Sequence, residues 1–210
     1  MRPCSLAAPR RSDSACATVL TLFPPAGSRR SLQVTRMKPS VLVLMGVSGC
    51  GKTTVAAILA SRLGWPFEEG DALHPQANIE KMAAGHSLTD VDRWPWLAKV
   101  ADWIDKRLDA GENGLITCSA LKRSYRDLIN RRGSGLMFVF LAGSKETIAA
   151  RLAARHGHFM RASLLDSQFA DLDEPAADEP AIRVDIGPPA AEIVEQIMED
   201  FGLAERAKRT

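Results

Sequence analysis

The sequence has no uninterrupted apolar stretch of the roughly 18 residues that a membrane-spanning helix needs. Charged residues recur throughout the chain, and glycine and proline break the apolar runs that remain. We therefore expect a soluble protein with no membrane partner. With 210 residues, of which 46% are hydrophobic and 25% charged, the chain can form one globular domain with a substantial core.

Cysteine is scarce, and Cys4, Cys16, Cys50 and Cys118 do not have the spacing of metal ligands. Cys50 and Cys118 also lie in segments where a disulfide would distort the fold proposed below. A reducing compartment is therefore expected, and we predict a cytoplasmic protein.

A basic surplus is missing from most of the chain. Residues 1–36 contain six Arg and one Asp, whereas residues 37–210 contain 21 basic and 24 acidic residues. The second segment is slightly acidic, so it lacks the charge of a nucleic-acid-binding domain. We expect no nucleic-acid partner.

Residues 1–36 also lack a helical or strand period, and they are rich in Arg, Ser, Ala and Pro. We expect a disordered extension, followed by a single domain over residues 37–210. Three explanations stay open: a start site placed upstream of the true one at Met37, an organellar transit peptide, or a regulatory tail. We favour the first, because Met37 directly precedes the first strand and Pro24-Pro25 interrupts any amphipathic helix.

What the chain does contain is an alternation of apolar strands and helical patterns. Val41–Met45 is a wholly apolar run that ends at Gly46, and a helical pattern then continues to Gly64. Further strands are predicted at residues 66–69, 115–118, 137–142 and 182–186. This order predicts an α/β fold with a parallel sheet covered by helices on both faces. Residues 75–110, mainly helical, and residues 155–180 are candidates for mobile insertions.

The first strand and helix enclose a complete G-x-x-x-x-G-K-[ST] motif. Its residues are Gly46, Val47, Ser48, Gly49, Cys50, Gly51, Lys52 and Thr53. Glycines let consecutive N–H groups turn toward phosphate oxygens, and the helix N-terminus adds partial positive charge. We predict that these residues and Thr54 bind ATP, that Lys52 contacts the β- and γ-phosphates, and that Thr53 ligates Mg²⁺.

Two classes of P-loop protein are disfavoured by the residues after the motif. The chain has no Asn-Lys-x-Asp element and no Asp followed three residues later by Gly, so the elements of a GTPase switch are missing. The strand at residues 115–118 leads into Cys118-Ser119 rather than an Asp, which argues against a motor ATPase.

Two carboxylates lie at the end of the second strand, at Glu69 and Asp71. In an extended chain, residues two apart point to the same side, here at the carboxyl edge of the sheet where ligands bind. We assign Asp71 the general base that accepts the acceptor's hydroxyl proton, and Glu69 a place in the Mg²⁺ shell.

Several longer segments closely resemble the gluconate kinase (gluconokinase) family of small P-loop kinases. They are residues 70–75, 78–82, Gly85, 88–90, 92–97, 118–127, 157–160, 167–169 and 174–175. The resemblance implies transfer of the ATP γ-phosphate to the 6-hydroxyl of gluconate, with Mg²⁺. It also implies a fold of the nucleoside-monophosphate-kinase type, with a five-stranded parallel sheet, a lid, a helical acceptor-binding insertion, and commonly a homodimer. Ser87 and Asp173 depart from the family pattern without touching the expected chemistry.

The residues are compatible with an acidic sugar as acceptor. A gluconate pocket needs cations for the carboxylate and polar groups for the hydroxyls. We predict that the acceptor contacts Asp71, His74, Asn78, Lys81, Arg93, Ser119, Lys122 and Arg126. Arg123 is a weaker candidate, and both it and Lys81 could equally be surface charges.

Three arginines surround Gly157-His158-Phe159, where a kinase of this kind needs a flap over the phosphates. We predict that Arg155 and Arg161 contact the transferring phosphoryl group, and that Arg151 lies near the adenine. Arg151 and Arg155 are also spaced as on an ordinary solvated helix, and that interpretation stays open.

Two rival functions remain. One is a kinase of the same fold acting on another small acid, such as shikimate or a different aldonate. The other is a non-catalytic ATP-binding regulator, which would leave Lys52, Thr53 and Asp71 together without a purpose.

Overall fold

The computed structural model describes residues 40–154 and 162–203, without the side chains of residues 162–164. Residues 1–36 lie outside these ranges, so the predicted extension stays a prediction. No helix within the described ranges is both long and apolar enough to cross a membrane.

The core of the fold is one parallel sheet with the strand order β2-β3-β1-β4-β5. Its strands are β1 (Val41–Met45), β2 (Phe67–Glu69), β3 (Gly114–Thr117), β4 (Leu136–Ala142) and β5 (Ala181–Asp185). Every strand boundary lies within one residue of the predicted position. The predicted five-stranded parallel sheet is confirmed.

Helices connect the strands and cover the sheet. Those described are α1 (Lys52–Leu63), α2 (Gln76–Ala83), α3 (Asp90–Asp109), α4 (Arg123–Ile129), α5 (Lys145–Ala153), α6 (Ala162–Asp171) and α7 (Ala190–Asp200). α1 ends as predicted at Gly64, whose φ of 65° places it in the left-handed region. The region at residues 75–110 is mainly helical, as its sequence predicts.

The alternating side chains of β1 build two separate cores. Leu42 and Leu44 pack in a cluster with apolar residues of α1 and α7. Val43 and Met45 pack in the other cluster, with apolar residues of α3 and α4. The sheet is therefore buried on both faces, and its carboxyl edge is left to carry polar groups.

Candidate active site

The loop between β1 and α1 has the geometry of a phosphate-binding loop. Gly46 and Gly51 adopt φ angles of 135° and 104°, which glycine reaches at little cost. A Cβ added at Gly46 would lie 2.9 Å from the carbonyl oxygen of Leu141. The Lys52 ammonium donates hydrogen bonds to the carbonyl oxygens of Gly46 and Val47 over 3.0 and 3.2 Å. Its charge therefore lies directly at the loop.

The first turn of α1 continues this loop. α1 begins at Lys52 and carries no acidic residue in its first turn. Thr53 and Thr54 follow with exposed side chains. A helix start of this kind attracts phosphate through its free N–H groups and its dipole. The predicted ATP-binding residues from Gly46 to Thr54 thus form one continuous loop and helix start.

The tip of the phosphate loop is held by Gln168, to which the sequence pattern assigns no role. Gln168 accepts a hydrogen bond from the Ser48 N–H over 2.7 Å and donates one to the Ser48 hydroxyl over 3.2 Å. The Gly46 N–H donates to the Ser119 carbonyl oxygen over 3.2 Å, which places predicted acceptor residue Ser119 beside the loop. In the sequence, Gln168 is notable only because it lies in the segment 167–169, which resembles the gluconate kinase family. That resemblance does not indicate that Gln168 contacts Ser48, which lies 120 residues away.

The turn after β2 differs from the expected extended chain. β2 ends at Glu69, and Gly70–Leu73 form a 3₁₀ helix. The prediction that Glu69 and Asp71 project alike from an extended strand is therefore wrong. Glu69 accepts a hydrogen bond from the buried Thr117 hydroxyl, which itself accepts one from the Gly70 N–H over 3.1 Å. The Asp71 side chain is exposed on the turn.

Close packing fixes this turn against β3 and α3. A Cβ added at Gly70 would lie 1.9 Å from the Thr117 carbonyl oxygen, so only glycine fits there. The Trp96 indole N–H donates to the Gly70 carbonyl oxygen over 2.7 Å. Trp96 also stacks on His74, with ring centroids 4.1 Å apart. Asp71 is thus presented by a turn that is held on both sides.

Asn78 fixes the tautomer of His74. The Asn78 amide nitrogen donates to the Asp92 carbonyl oxygen over 2.8 Å and lies 3.3 Å from His74 Nδ1. Because a carbonyl only accepts, the amide nitrogen must face both groups, and Nδ1 must be the acceptor. Burial lowers the pKa of His74, against the raising effect of Asp71. His74 is therefore neutral at pH 7, with its proton on Nε2 available for donation.

Lys81 lies in a contact that stabilises the start of α3. Its ammonium is 2.6 Å from Asp92, and Asp92 forms a capping box with Thr89. Hydrogen bonds from Lys81 and Thr89 hold the pKa of Asp92 well below its usual range. The contact gives Lys81 a structural role, and a role in acceptor binding stays a prediction.

Five polar side chains from α3, α6 and the start of α4 meet in what we call the Arg93 cluster: Asp90, Arg93, Lys122, Tyr125 and Asp171. Lys122 Nζ lies 2.9 Å from Asp90 Oδ1 and 3.6 Å from Asp171 Oδ1. Arg93 Nη1 donates to Tyr125 Oη over 2.9 Å and to Asp171 Oδ2 over 3.2 Å. The Tyr125 hydroxyl donates to Asp90. Predicted acceptor residues Arg93 and Lys122 are therefore brought together.

The charges of the Arg93 cluster are well defined. Hydrogen bonds from Tyr125 and Lys122 lower the pKa of Asp90. The same contact with Asp90 raises the pKa of Lys122, and burial together with the Asp90 contact raises the pKa of Tyr125. These shifts keep Asp90 ionised, Lys122 protonated and the Tyr125 phenol neutral at neutral pH.

The prediction that Arg126 binds the acceptor is contradicted. Its side chain is 1% exposed, and its guanidinium forms a two-pronged ion pair with Glu179 over 2.5 and 2.9 Å. Nη1 also donates to the carbonyl oxygens of Ala120, Leu121 and Asp173. Ala120 has a φ of 44°, in the left-handed region that non-glycine residues rarely adopt. Arg126 therefore stabilises the loop after β3, and each of its three side-chain nitrogens already has a partner within the protein.

Both cysteines in the described part of the chain are free and buried. Cys118 follows β3 directly, and burial raises the pKa of its thiol to about 12. Cys50 lies inside the phosphate loop. Both side chains pack as small apolar groups, and the Cys118 thiol stays protonated at neutral pH.

Of the predicted lid arginines, only Arg151 lies within the described residues. Its guanidinium donates to the Ile186 carbonyl oxygen, which ties α5 to the end of β5. Arg155 and Arg161 lie outside the described ranges, as does the Gly157-His158-Phe159 segment. Their phosphate contacts stay a prediction.

The described groups form one site along the carboxyl edge of β1, β2 and β3. The phosphate loop with its lysine follows β1, the Asp71 carboxylate lies on a fixed turn after β2, and the Arg93 cluster, which contains two cations, includes Lys122 from the segment after β3. Such a site can bind a polyphosphate, accept a proton and attract an anionic second ligand.

Comparisons with known proteins identify relatives of this chain. A family model described as an AAA domain matches residues 41–175, from β1 to just beyond α6. The chain is 57% identical over 148 residues to a gluconokinase from Gluconobacter oxydans (strain 621H). The aligned region covers 70% of this chain and 83% of the relative.

Solved structures agree with these relatives. An unliganded sugar kinase from Janibacter sp. HTCC2649 is 44% identical with a TM-score of 0.74, over 80% of this chain and 98% of that one. A gluconokinase from Sinorhizobium meliloti 1021 is 46% identical with a TM-score of 0.72, over 82% of this chain and 95% of that one. The similarity therefore extends over nearly the whole length of each solved protein.

Proposed function

The chain belongs to the gluconokinase family, and from this premise we propose that it transfers the γ-phosphate of ATP to the 6-hydroxyl of D-gluconate. The observation that carries the proposal is the position of three groups on one sheet edge: the phosphate loop, the Asp71 turn and the Arg93 cluster. Each group suits one part of this reaction. The rival acceptors, shikimate and other aldonates, have no separate observation in their favour.

ATP binding is supported by the phosphate loop. The loop N–H groups and the start of α1 would hold the β- and γ-phosphates, and Lys52 would exchange its carbonyl partners for phosphate oxygens. Phosphoryl transfer spreads negative charge over the transferring group, so a cation at this position stabilises the transition state more than the ground state.

Asp71 is proposed as the general base. Its exposed carboxylate on the turn after β2 can accept the proton of the 6-hydroxyl. The oxygen that loses this proton forms the new bond to phosphorus while the bond from phosphorus to ADP breaks. His74, neutral and held by Asn78, can donate an Nε2 hydrogen bond to a sugar oxygen.

The side-chain oxygens of Thr53 and Glu69 suit Mg²⁺, which takes its other ligands from phosphates and water, better than a metal held by protein ligands alone. Within the described ranges, no group of three or more His, Cys, Asp or Glu side chains could hold a metal ion. Mg²⁺ commonly binds through one or two protein oxygens together with phosphates and waters. Thr53 and Glu69 are the proposed protein contacts, and the bound ion would neutralise phosphate charge.

The oligomeric state and the cellular location of the protein are proposed from the family resemblance and from the sequence. We propose a cytoplasmic homodimer, because the family resemblance implies a dimer and the cysteine spacing of the sequence does not indicate a disulfide framework. Light scattering of the purified protein measures the assembly directly, and a monomer at micromolar concentration would refute the dimer.

An ADP-release assay across acceptors tests the function. We expect ATP turnover that depends on gluconate and exceeds the turnover with shikimate, other aldonates and nucleoside monophosphates. Turnover with none of these acceptors would favour a non-catalytic ATP-binding protein, whereas preference for shikimate would move the chain to a different acceptor class.

Asp71→Asn tests the general base. Asn keeps the size of the side chain but accepts no proton, so kcat should fall by about 10²- to 10⁴-fold while the affinities for ATP and gluconate change little. Steady-state kinetics and calorimetric binding measure the two effects separately. Glu69→Gln is the contrast: raised Mg²⁺ should partly restore its activity and should not restore that of Asp71→Asn. Near-normal kcat with a raised KM for gluconate would make Asp71 a binding residue instead.

A further inference from the structure

In the Arg93 cluster, the Asp171 carboxylate occupies the position beside Arg93 and Lys122 that the carboxylate of an acidic acceptor would take. Asp171 places one oxygen 3.2 Å from Arg93 Nη1 and the other 3.6 Å from Lys122 Nζ. A substrate carboxylate that bridged these two cations would use the same pair of contacts. Because Asp90 supplies the second negative charge, the cluster is neutral overall before any acceptor arrives.

The two acids of the cluster are held very differently. Asp90 accepts hydrogen bonds from Tyr125 and from Lys122, and it lies in the first turn of α3, where a negative charge is stabilised by the helix dipole. Asp171 is the last residue of α6, and its contacts with Arg93 and Lys122, over 3.2 and 3.6 Å, are longer than the 2.9 Å contact between Asp90 and Lys122. Asp171 is therefore the acid that an entering anion can displace.

The remainder of α6 keeps this acid in place. Gln168 lies three residues before Asp171, on the same face of the helix, and is hydrogen-bonded to Ser48 of the phosphate loop. Closer to its start, Asp166 pairs with Lys145 of α5 over 2.7 Å. A change of the Asp171 side chain alone can thus clear the two cations without moving the helix.

We propose that Asp171 is a built-in competitor that occupies Arg93 and Lys122 in place of the acceptor's carboxylate and is displaced when the acceptor binds. The inference rests on the proposed function, because it takes the acceptor to be an anion held by these two cations. It makes Asp171 a residue that sets acceptor affinity and the preference for acids over neutral polyols.

Asp171→Asn tests the inference, with equilibrium binding of gluconate measured by calorimetry on the full chain. Loss of the competing charge should lower the Kd for gluconate by about two- to fivefold, the range of partly exposed ion pairs. The affinity for D-glucitol, in which a neutral hydroxymethyl group replaces the carboxylate, should stay the same. Asp171→Glu keeps the charge and should stay close to the wild type.

Asp166→Asn is the matched control. It removes the same charge from the same helix, but its partner Lys145 lies outside the Arg93 cluster, so gluconate affinity should not change. If Asp171→Asn folds poorly, as melting temperature will show, Asp171→Ala should shift the Kd in the same direction.

Unchanged or weaker gluconate binding by folded Asp171→Asn would overturn the inference, since Asp171 would then only orient the cations. An equal gain for D-glucitol would overturn it too, because the substitution would merely have opened the site. Wild-type turnover of gluconate distinguishes failure of this inference from failure of the proposed function. A wild-type protein that neither binds nor phosphorylates gluconate would refute both.

Discussion

Arg126 and Lys122 lie four residues apart, but they differ in burial and therefore in role. Lys122 keeps a partly exposed ammonium in the Arg93 cluster. Arg126 is enclosed, and Glu179 neutralises it from the segment before β5. Removing one member of such a buried pair leaves an uncompensated charge, which is far more costly than losing a surface pair. Glu179 therefore supports, through Arg126, the loop that carries Ser119 and Lys122.

Glu179→Gln should lower the free energy of unfolding by about 3 kcal/mol, the lower end of the roughly 3–5 kcal/mol range, because Gln retains one acceptor for Arg126. Urea unfolding at pH 7 measures the loss. Glu195→Gln is the control, since its partner Arg62 is on the surface and the change should stay within about 0.5 kcal/mol. A loss as small as that of the control would contradict the structural role of the pair.

The effect of Glu179 should also depend on pH. The hydrogen bonds of Arg126 lower the pKa of Glu179 in the folded protein below its usual value of about 4.3. A lowered folded pKa stabilises the protein above the unfolded pKa, and this contribution is lost as pH falls through the folded pKa. The difference between wild type and Glu179→Gln should accordingly shrink as unfolding is measured at progressively lower pH below about 4.

Among the helices, α6 stands out because it contacts both halves of the site. Gln168 reaches the phosphate loop and Asp171 reaches the Arg93 cluster. The two hydrogen bonds of Gln168 hold Ser48 at the loop tip and restrict the motion of the loop. Ordering a loop in advance reduces the entropy that binding must cost.

Gln168→Leu should raise the KM for ATP by about three- to thirtyfold, because two hydrogen bonds of roughly 1 kcal/mol each are lost and one loop N–H is left without its partner. Gln168→Glu keeps the acceptor for Ser48 but adds a negative charge next to the bound phosphates, so its KM for ATP should rise further. ADP release at varied ATP measures both, with the KM for gluconate as the internal control. An unchanged KM for ATP in both variants would show that the loop is ordered without Gln168.

The strands and the phosphate loop could be predicted from sequence because their signals are local. A wholly apolar run such as Val41–Met45 fits a strand buried on both faces, and the glycine-rich motif follows it directly. The structural role of Arg126 could not be predicted, because Glu179 lies 53 residues away. The Asp171 contact with Arg93 spans 78 residues, and only the fold brings those side chains together.

At the scale of the whole molecule, both described core clusters draw their residues from Val41 to Leu203. The central strand β1 is paired on both sides, and each face of the sheet has its own helices. The described residues thus form a hydrogen-bonded sheet with a core on each of its faces.

A chain that begins at Met37 should therefore melt at the same temperature as the full chain and phosphorylate gluconate at the same rate. Residues 1–36 have no apolar period with which to bury surface, and their arginine-rich composition is typical of segments that do not fold alone. Thermal unfolding and ADP release of the two chains, measured side by side, provide the comparison. A melting temperature several degrees lower, or a lost rate, would mean that the extension packs on the domain. Leu20, Leu22 and Phe23 form its main apolar cluster, and changing them to Ser in the full chain should then reproduce the loss.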